Sequence, residues 1–245
     1  MAQWGSGIAV SVSALSMAVA LGATVAVHRV ERRLDAIDAT LSRLESPADS
    51  GPTRVTLSVA RDWRALGDPR APVTVVEFTD YECPYCKRFH SDAYVNLKRN
   101  YVDAGLVRWV VRDLPLAIHG SAHAAAESAR CAGAQGAFWK MHDALLGDSR
   151  APDSSVVAAA TQRLGLDADG LYACLRSHRM AAAVDADVAE ATALRLDHTP
   201  AFVVAPSARE KLDGAVILGA YPYARYAEAI DSVLKTVPKA ESKRP

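Results

Sequence analysis

The chain falls into three stretches that differ in how apolar and polar side chains follow one another. From Gly5 to Val27 there is no charged side chain, and Ile8 to Val27 is nearly all Ala, Val, Leu, Ile, Met, Gly and Ser, which is long enough to span a bilayer. Val27, Val30, Leu34, Ile37, Leu41 and Leu44 then recur at spacings of 3 and 4 with Arg, Glu and Asp filling most gaps. That is the seam of a short coiled coil, or equally a solvated helical stalk. Ser46-Pro47-Ala48-Asp49-Ser50-Gly51-Pro52 stops this helix with two prolines and small polar residues, and reads as a linker.

A globular pattern begins near Arg54. Val55 to Val59 is β-rich, Gly67-Asp68-Pro69 marks a turn, and Val73-Thr74-Val75-Val76-Glu77-Phe78-Thr79 has the near-continuous apolar character of a buried strand. A helix is predicted from about Pro84, a strand over Leu106 to Val111, and an Ala-rich helical block from about His119 to Leu194, broken at Gly133, Gly136, Gly147, Pro152 and Gly165. Strands Phe202 to Val204 and Ala215 to Leu218 and a closing helix from about Pro222 to Val237 complete the order. Strand, helix, strand, helical block, strand, strand, helix suits an α/β sandwich around a mixed sheet. The predicted organisation is an anchor over 1–28, a stalk over 29–45, a linker over 46–54, and a domain over 55–238 with a helical insertion about 113–195. A tail over 239–245 follows.

Composition narrows the function. With 245 residues, half of them apolar, the chain has room for one domain of roughly 180 to 200 residues and an appendage. Net charge is zero and the basic residues form no long cluster, which excludes the electrostatic footprint of a nucleic-acid binder. No Lys or Arg precedes the apolar run, and the run exceeds the 7–15 residues usual in a cleaved signal, so an uncleaved anchor is favoured over a signal peptide. Arg29, Arg32 and Arg33 follow the span, and the positive-inside rule would therefore put the domain in the cytoplasm. Large following domains can translocate regardless of that bias.

The chemistry concentrates at Cys83-Pro84-Tyr85-Cys86. A Cys-x-x-Cys where a buried strand turns into a helix puts the first sulfur at the helix N-terminus, where free N–H groups and the helix dipole stabilise a thiolate. Cys83 is the candidate nucleophile, Pro84 suits the first helical position, and Cys86, one turn inward, is placed to resolve a mixed disulfide. Half of a zinc site is the competing reading, but no second Cys-x-x-Cys or Cys-x-x-His exists. Glu77 interrupts an apolar strand six residues before Cys83. If buried, its raised pKa would let it exchange a proton with Cys86; if exposed, it is an ordinary structural charge. Asp80 and Glu82 are expected on a solvated rim, opposing thiolate formation. His90 reads as a surface or packing residue. His119 and His123 have the spacing of a helical metal pair but lack an evident third ligand, so capping or surface roles are expected.

Gly67-Asp68-Pro69, Ala71-Pro72-Val73-Thr74-Val75-Val76-Glu77-Phe78 and Cys83-Pro84-Tyr85-Cys86, with Thr199-Pro200 before a strand, resemble the DsbA-like thioredoxin-fold thiol-disulfide oxidoreductases over roughly residues 60–237. The resemblance implies a cis Pro200 facing the dithiol, substrate pairing through the Thr199 backbone, and no cofactor beyond the redox-active disulfide. Ala129-Arg130-Cys131-Ala132 and Leu171-Tyr172-Ala173-Cys174-Leu175 resemble the subgroup with a second, structural disulfide, here Cys131–Cys174. Such a bond persists in an oxidising compartment, and this is the main argument for export to the extracytoplasmic side of a membrane.

Pro-Tyr in place of the Pro-His of the family's strongest oxidants removes a histidine that could stabilise the Cys83 thiolate. Thr before the proline is also found in the isomerase branch. Three functions therefore follow from the resemblance. The first is an oxidase taking electrons from reduced, partly unfolded exported proteins and passing them to a membrane redox partner. The second is an isomerase or reductase, oligomeric through residues 27–44. The third, of another class, is a non-enzymatic chaperone or scaffold whose groove only binds unfolded segments, against which the presence of both cysteines argues.

Overall fold

The computed structural model describes residues 53–58, 64–208 and 210–237. The expected anchor, the heptad stretch, residues 46–52 of the linker and the tail over 239–245 lie outside the described residues. Among the described residues, no helix is long and apolar enough to cross a membrane. The elements are β1 (Arg54–Ser58), β2 (Ala65–Leu66), β3 (Val73–Thr79), α1 (residues 84–102), β4 (Val107–Asp113), α2 (Ala122–Gly133), α3 (Phe138–Leu146), α4 (Ser154–Arg163), α5 (Ala168–Arg176), α6 (Ala181–Ala193), β5 (Ala201–Pro206), β6 (Lys211–Leu218) and α7 (Tyr223–Thr236).

The strands form one mixed sheet in the order β1-β6-β5-β3-β4-β2, with β3 and β4 parallel and every other pair antiparallel. A parallel pair requires a crossover, and α1 supplies it. Every residue of β3 is buried because the strand is central and covered on both faces. Val73 and Val75 point to one face with Val107, Trp109, Phe202, Val204 and Ile217; Val76 and Phe78 point to the other with Val110, Ala201, Val203 and Leu212. The first face carries α1 and α7. Phe89 of α1 lies 4.5 Å from Phe202 and 5.0 Å from Tyr226 of α7, ring centre to ring centre, and this cluster seats the helix on the sheet. Buried residues Cys86, Phe89, Ala93, Tyr94, Leu97, Tyr101 and Val102 form the helical stripe that makes the contact. The second face is covered in part by Ala191 of α6 and by Leu196.

The helical block is fastened twice. Cys131 of α2 and Cys174 of α5 are joined as a disulfide. At the junction with the sheet, Arg64, Arg112 and Arg130 meet Asp113, Asp187 and Glu190. All but Glu190 are buried, so three guanidiniums face two buried carboxylates, and half-buried Glu190 supplies the third negative charge at the edge of the cluster. Burial still holds the Asp113 pKa above its usual value, against the Arg130 and Arg64 guanidiniums.

Several boundaries differ from those the sequence suggests. β6 begins at Lys211 rather than Ala215, because its first half pairs with β1, a contact across the length of the domain. β4 continues to Asp113, carried by its pairing with β3 up to Thr79. β2 has two residues, too short to leave a pattern. The block breaks once more after α5, where His178 takes a φ of 48° without a glycine to announce it. Gly67 of the expected turn has a φ of 93°, and a Cβ there would lie 2.5 Å from the Val107 carbonyl oxygen, so the motif needs glycine on both counts.

The Cys131–Cys174 bond closes a loop of 43 residues. By chain entropy that constraint is worth about 4 kcal/mol. Cys131→Ala/Cys174→Ala is expected to lose stability on this scale in urea unfolding while keeping its circular dichroism spectrum.

Candidate active site

β3 passes into α1 through Asp80-Tyr81-Glu82-Cys83. The Asp80 carboxylate accepts the N–H groups of Glu82 at 2.8 Å and Cys83 at 3.2 Å, an Asx-type turn that aims the chain into the helix. Its second oxygen accepts the N–H of Leu116 at 2.8 Å and meets His119 Nδ1 at 2.7 Å. Asp80 is therefore buried at the heart of the turn, not on the solvated rim expected for it, because four polar partners replace its water. Glu82 is half-buried and accepts the Ser121 N–H at 2.7 Å.

Cys83 occupies the N-cap position with extended φ and ψ of −64° and 122°, and Pro84 follows as the first helical residue. The Lys87 N–H donates to the Cys83 carbonyl at 3.2 Å, closing the first helical turn. Cys83 is 3 % exposed, whereas Pro84 and Tyr85 stand in solvent, the Tyr85 ring lying 5.1 Å from the Arg88 guanidinium. The Thr199–Pro200 peptide is cis. It presents the Thr199 carbonyl to Cys83, whose thiol donates to it at 3.5 Å. The Gly219 N–H, donating to the Pro200 carbonyl at 2.7 Å, ties this loop to the end of β6.

The sulfurs are electrostatically unequal. The Cys86 thiol lowers the Cys83 pKa to about 5, outweighing desolvation, with help from Thr199 and the backbone N–H groups of Cys86 and Tyr85. The Thr199 carbonyl suits the thiol form. Its hydroxyl, buried and without a hydrogen-bond partner, suits the thiolate. Cys86 is fully buried; burial pushes its pKa up, and the hydrogen bond to Cys83 and the charge of Cys83 push the same way. The Asp80 N–H donates to its sulfur at 3.5 Å.

Glu77 lies on the face of the sheet that carries α1, 1 % exposed, since it alternates with Val73 and Val75. Trp109 Nε1 donates to its Oε2 at 2.8 Å, while Oε1 has no partner. Burial raises its pKa to about 7, opposed by the Trp109 bond and the charge of His90. The Thr79 hydroxyl, two residues on along the same strand, is also buried without a hydrogen-bond partner. A buried acid that titrates near neutrality thus lies on the same face of the sheet as a cysteine that resists ionisation.

His119 and His123 are not a pair. His119 precedes α2 and serves Asp80, whose bond holds its pKa up against desolvation. His123 meets Glu127 at 3.4 Å and Asp185 at 3.1 Å. His90 is half-buried, its Nε2 3.2 Å from Asp143. Behind the dithiol turn, the Tyr81 hydroxyl bonds Nδ1 of buried His142 at 3.1 Å, and burial lowers the His142 pKa to about 3.

The family profile described as thioredoxin matches residues 60–232. The chain belongs to the thioredoxin family. The structure of Wolbachia pipientis alpha-DsbA1 shares this fold, with a TM-score of 0.65 and 20 % identity, covering 73 % of this chain and 94 % of that one. Among curated relatives, the Na(+)/H(+) antiporter NhaA 3 of Salinispora tropica is 40 % identical over 139 residues, 56 % of this chain and 21 % of that protein. Disulfide bond formation protein D of Bacillus subtilis is 37 % identical over 90 residues, 36 % of this chain and 40 % of that protein. This thioredoxin-family chain thus spans about a fifth of the antiporter's length and two fifths of the Bacillus protein's.

Trp109, Thr79, His142 and the Asp80–His119 pair were not singled out for these roles by sequence reasoning. A signal for Asp80 was present, an Asp three residues before a helix N-cap; Trp109 reaches Glu77 through strand register, which leaves no local mark.

Two outcomes follow for these groups. Because the fold raises the Glu77 pKa from 4.5 to about 7, the favourable protonated form is kept below pH 4.5 and lost as pH rises through 7. At pH 8 this costs ~3 kcal/mol. Glu77→Gln should accordingly be more stable than the parent by about that amount in urea at pH 8, with little difference at pH 4. Thr199→Val should raise the Cys83 pKa by about one unit, roughly 1.4 kcal/mol, read from thiolate ultraviolet absorbance against pH.

Proposed function

We propose that this protein is a thiol-disulfide oxidoreductase that exchanges disulfides with exported proteins through Cys83 and Cys86, acting as an oxidase. The observation that carries the reading is the helix-mouth sulfur of Cys83, favoured as a thiolate and facing the Thr199–Pro200 loop, with its partner Cys86 held as a thiol.

In the oxidised enzyme, a substrate thiolate attacks Cys83 of the Cys83–Cys86 disulfide. A mixed disulfide forms to Cys83, and Cys86 leaves as a thiolate that takes a proton from protonated Glu77. A second substrate thiolate attacks the substrate sulfur of the mixed disulfide, and Cys83 leaves as a thiolate. The substrate loses two electrons and gains a disulfide; the enzyme is left as the dithiol. Stabilisation of the departing Cys83 thiolate is what makes the enzyme an oxidant rather than a reductant. The Thr199 backbone and cis Pro200 receive the extended substrate segment beside Cys83, and exposed Pro84 and Tyr85 border it.

A membrane redox partner returns the dithiol to the disulfide. The site sits outside the cytoplasm, tethered by the apolar segment over 1–28 as a single pass, with association of copies through residues 27–44. Support for this location comes from the Cys131–Cys174 disulfide, which suits an oxidising compartment.

Equilibration with glutathione buffers tests the direction of electron flow. A Cys83 pKa of about 5 implies a potential roughly 60 mV above the about −270 mV of thioredoxin, whose cysteine pKa is ≈ 7. A value at or below thioredoxin's would end the oxidase reading. Cys83→Ser should abolish oxidation of a reduced dithiol peptide, and Cys86→Ser should accumulate the mixed disulfide on a non-reducing gel.

A further inference from the structure

Beside the dithiol helix, three side chains that the exchange chemistry leaves unused have the make-up of a cation site. His90 on α1, and His142 and Asp143 on α3, each offer a ligand atom, and these atoms lie within 4.8 Å of one another. His90 Nε2 and Asp143 Oδ1 already meet at 3.2 Å. His142 is fully buried, yet its nitrogens differ in what they touch: the Tyr81 hydroxyl engages Nδ1 at 3.1 Å, while Nε2 is buried without a partner. A polar atom that has given up water and gained nothing needs a reason.

The Tyr81 bond supplies half of one. When Nδ1–H donates to the Tyr81 oxygen, the lone pair falls on Nε2, the arrangement in which a histidine binds metal with its remaining N–H fixed by a neighbour. The ring is further clamped by Phe138 and Trp139, with centroids 5.8 Å and 5.2 Å away, so it cannot easily turn toward another partner. Asp143 is 49 % exposed at its side chain and His90 14 %, so the cluster opens to solvent on one side.

We propose that His90, His142 and Asp143 form a binding site for a divalent cation of the zinc class, held by two imidazole nitrogens and one carboxylate oxygen with a fourth position open to water. Two nitrogens in three ligands favour zinc or a neighbouring transition ion and disfavour magnesium and calcium, which take oxygen. Zinc bonds of 2.0–2.2 Å place tetrahedral ligand atoms ~3.4 Å apart, so the cluster need only contract, by movement of exposed Asp143 and half-buried His90 toward fixed His142. The bound ion would cross-link α1, whose first turn carries both cysteines, to α3 of the helical block.

The reduced dithiol also binds zinc, so the test uses the full chain in detergent with Cys83 and Cys86 oxidised to the disulfide. Zinc is measured by equilibrium dialysis and cobalt(II) serves as the optical probe. The expected result is a single equivalent bound, with visible cobalt d–d bands and no sulfur-to-cobalt charge transfer. Asp143→Ala should weaken binding at least ten-fold and His90→Gln should abolish it, in variants whose circular dichroism matches the parent. Failure of the oxidised protein to bind at tens of micromolar zinc overturns the proposal. So does binding that both substitutions leave unchanged, or a spectrum with sulfur ligation. None of these outcomes bears on disulfide exchange, which is read separately by the glutathione equilibrium.

Discussion

The contact between the Cys83 sulfur and the Thr199 carbonyl joins residues 116 positions apart, and most of the architecture serves to bring them together. β5 lies antiparallel beside β3 with Phe78 opposite Ala201, so the loop just before β5 must arrive where β3 ends and α1 begins. The aromatic cluster of Phe89, Trp109, Phe202 and Tyr226 then fixes the height of α1 above the sheet. Asp80 fixes the direction in which the chain leaves β3. Without any one of these, the sulfur would still be at a helix start but would face nothing.

Burial beneath that contact sorts the ionisable groups. Desolvation penalises charge wherever dipoles and partners do not compensate, and here compensation outweighs burial at Cys83 but not at Cys86, whose bond from the Asp80 N–H is too little. Cys83 has the helix N–H groups, the Cys86 thiol and Thr199; Cys86 and Glu77 lie deeper, where the neutral forms are favoured. The result is a thiolate with a defined place, and a neutral acid behind it. Histidine between the cysteines is not required for this: the low Cys83 pKa coexists with tyrosine at position 85.

Much of this was legible in the residues, and the parts that were not share a cause. The largely apolar β3 followed by Cys-Pro marked the strand-to-helix turn because both signals are local. Glu77 stood out because a carboxylate in such a strand is rare, and alternation with Val73 and Val75 puts it on the face of α1. The Cys131–Cys174 bridge and the cis Thr199–Pro200 peptide came from resemblance, since neither spacing nor composition dictates them. Asp80 was misjudged as exposed because its partners Leu116 and His119 lie beyond β4. The six-membered ion cluster around Asp113 and Asp187 has no sequence signature either: Arg64 and Asp187 are 123 positions apart and meet only because α6 packs back against β4.

The insertion of five helices between β4 and β5 has a bearing on how the molecule is made. Synthesis delivers Cys83 and Cys86 first, Cys131 next, and only later Cys174 and the loop that faces the dithiol. For the interval in which three thiols exist and the fourth does not, the reactive pair is unaccompanied and Cys131 lacks its native mate. Pairing fidelity in the nascent chain therefore depends on how far β3 and α1 can conceal Cys86 before Phe202 and Tyr226 arrive to seat the helix.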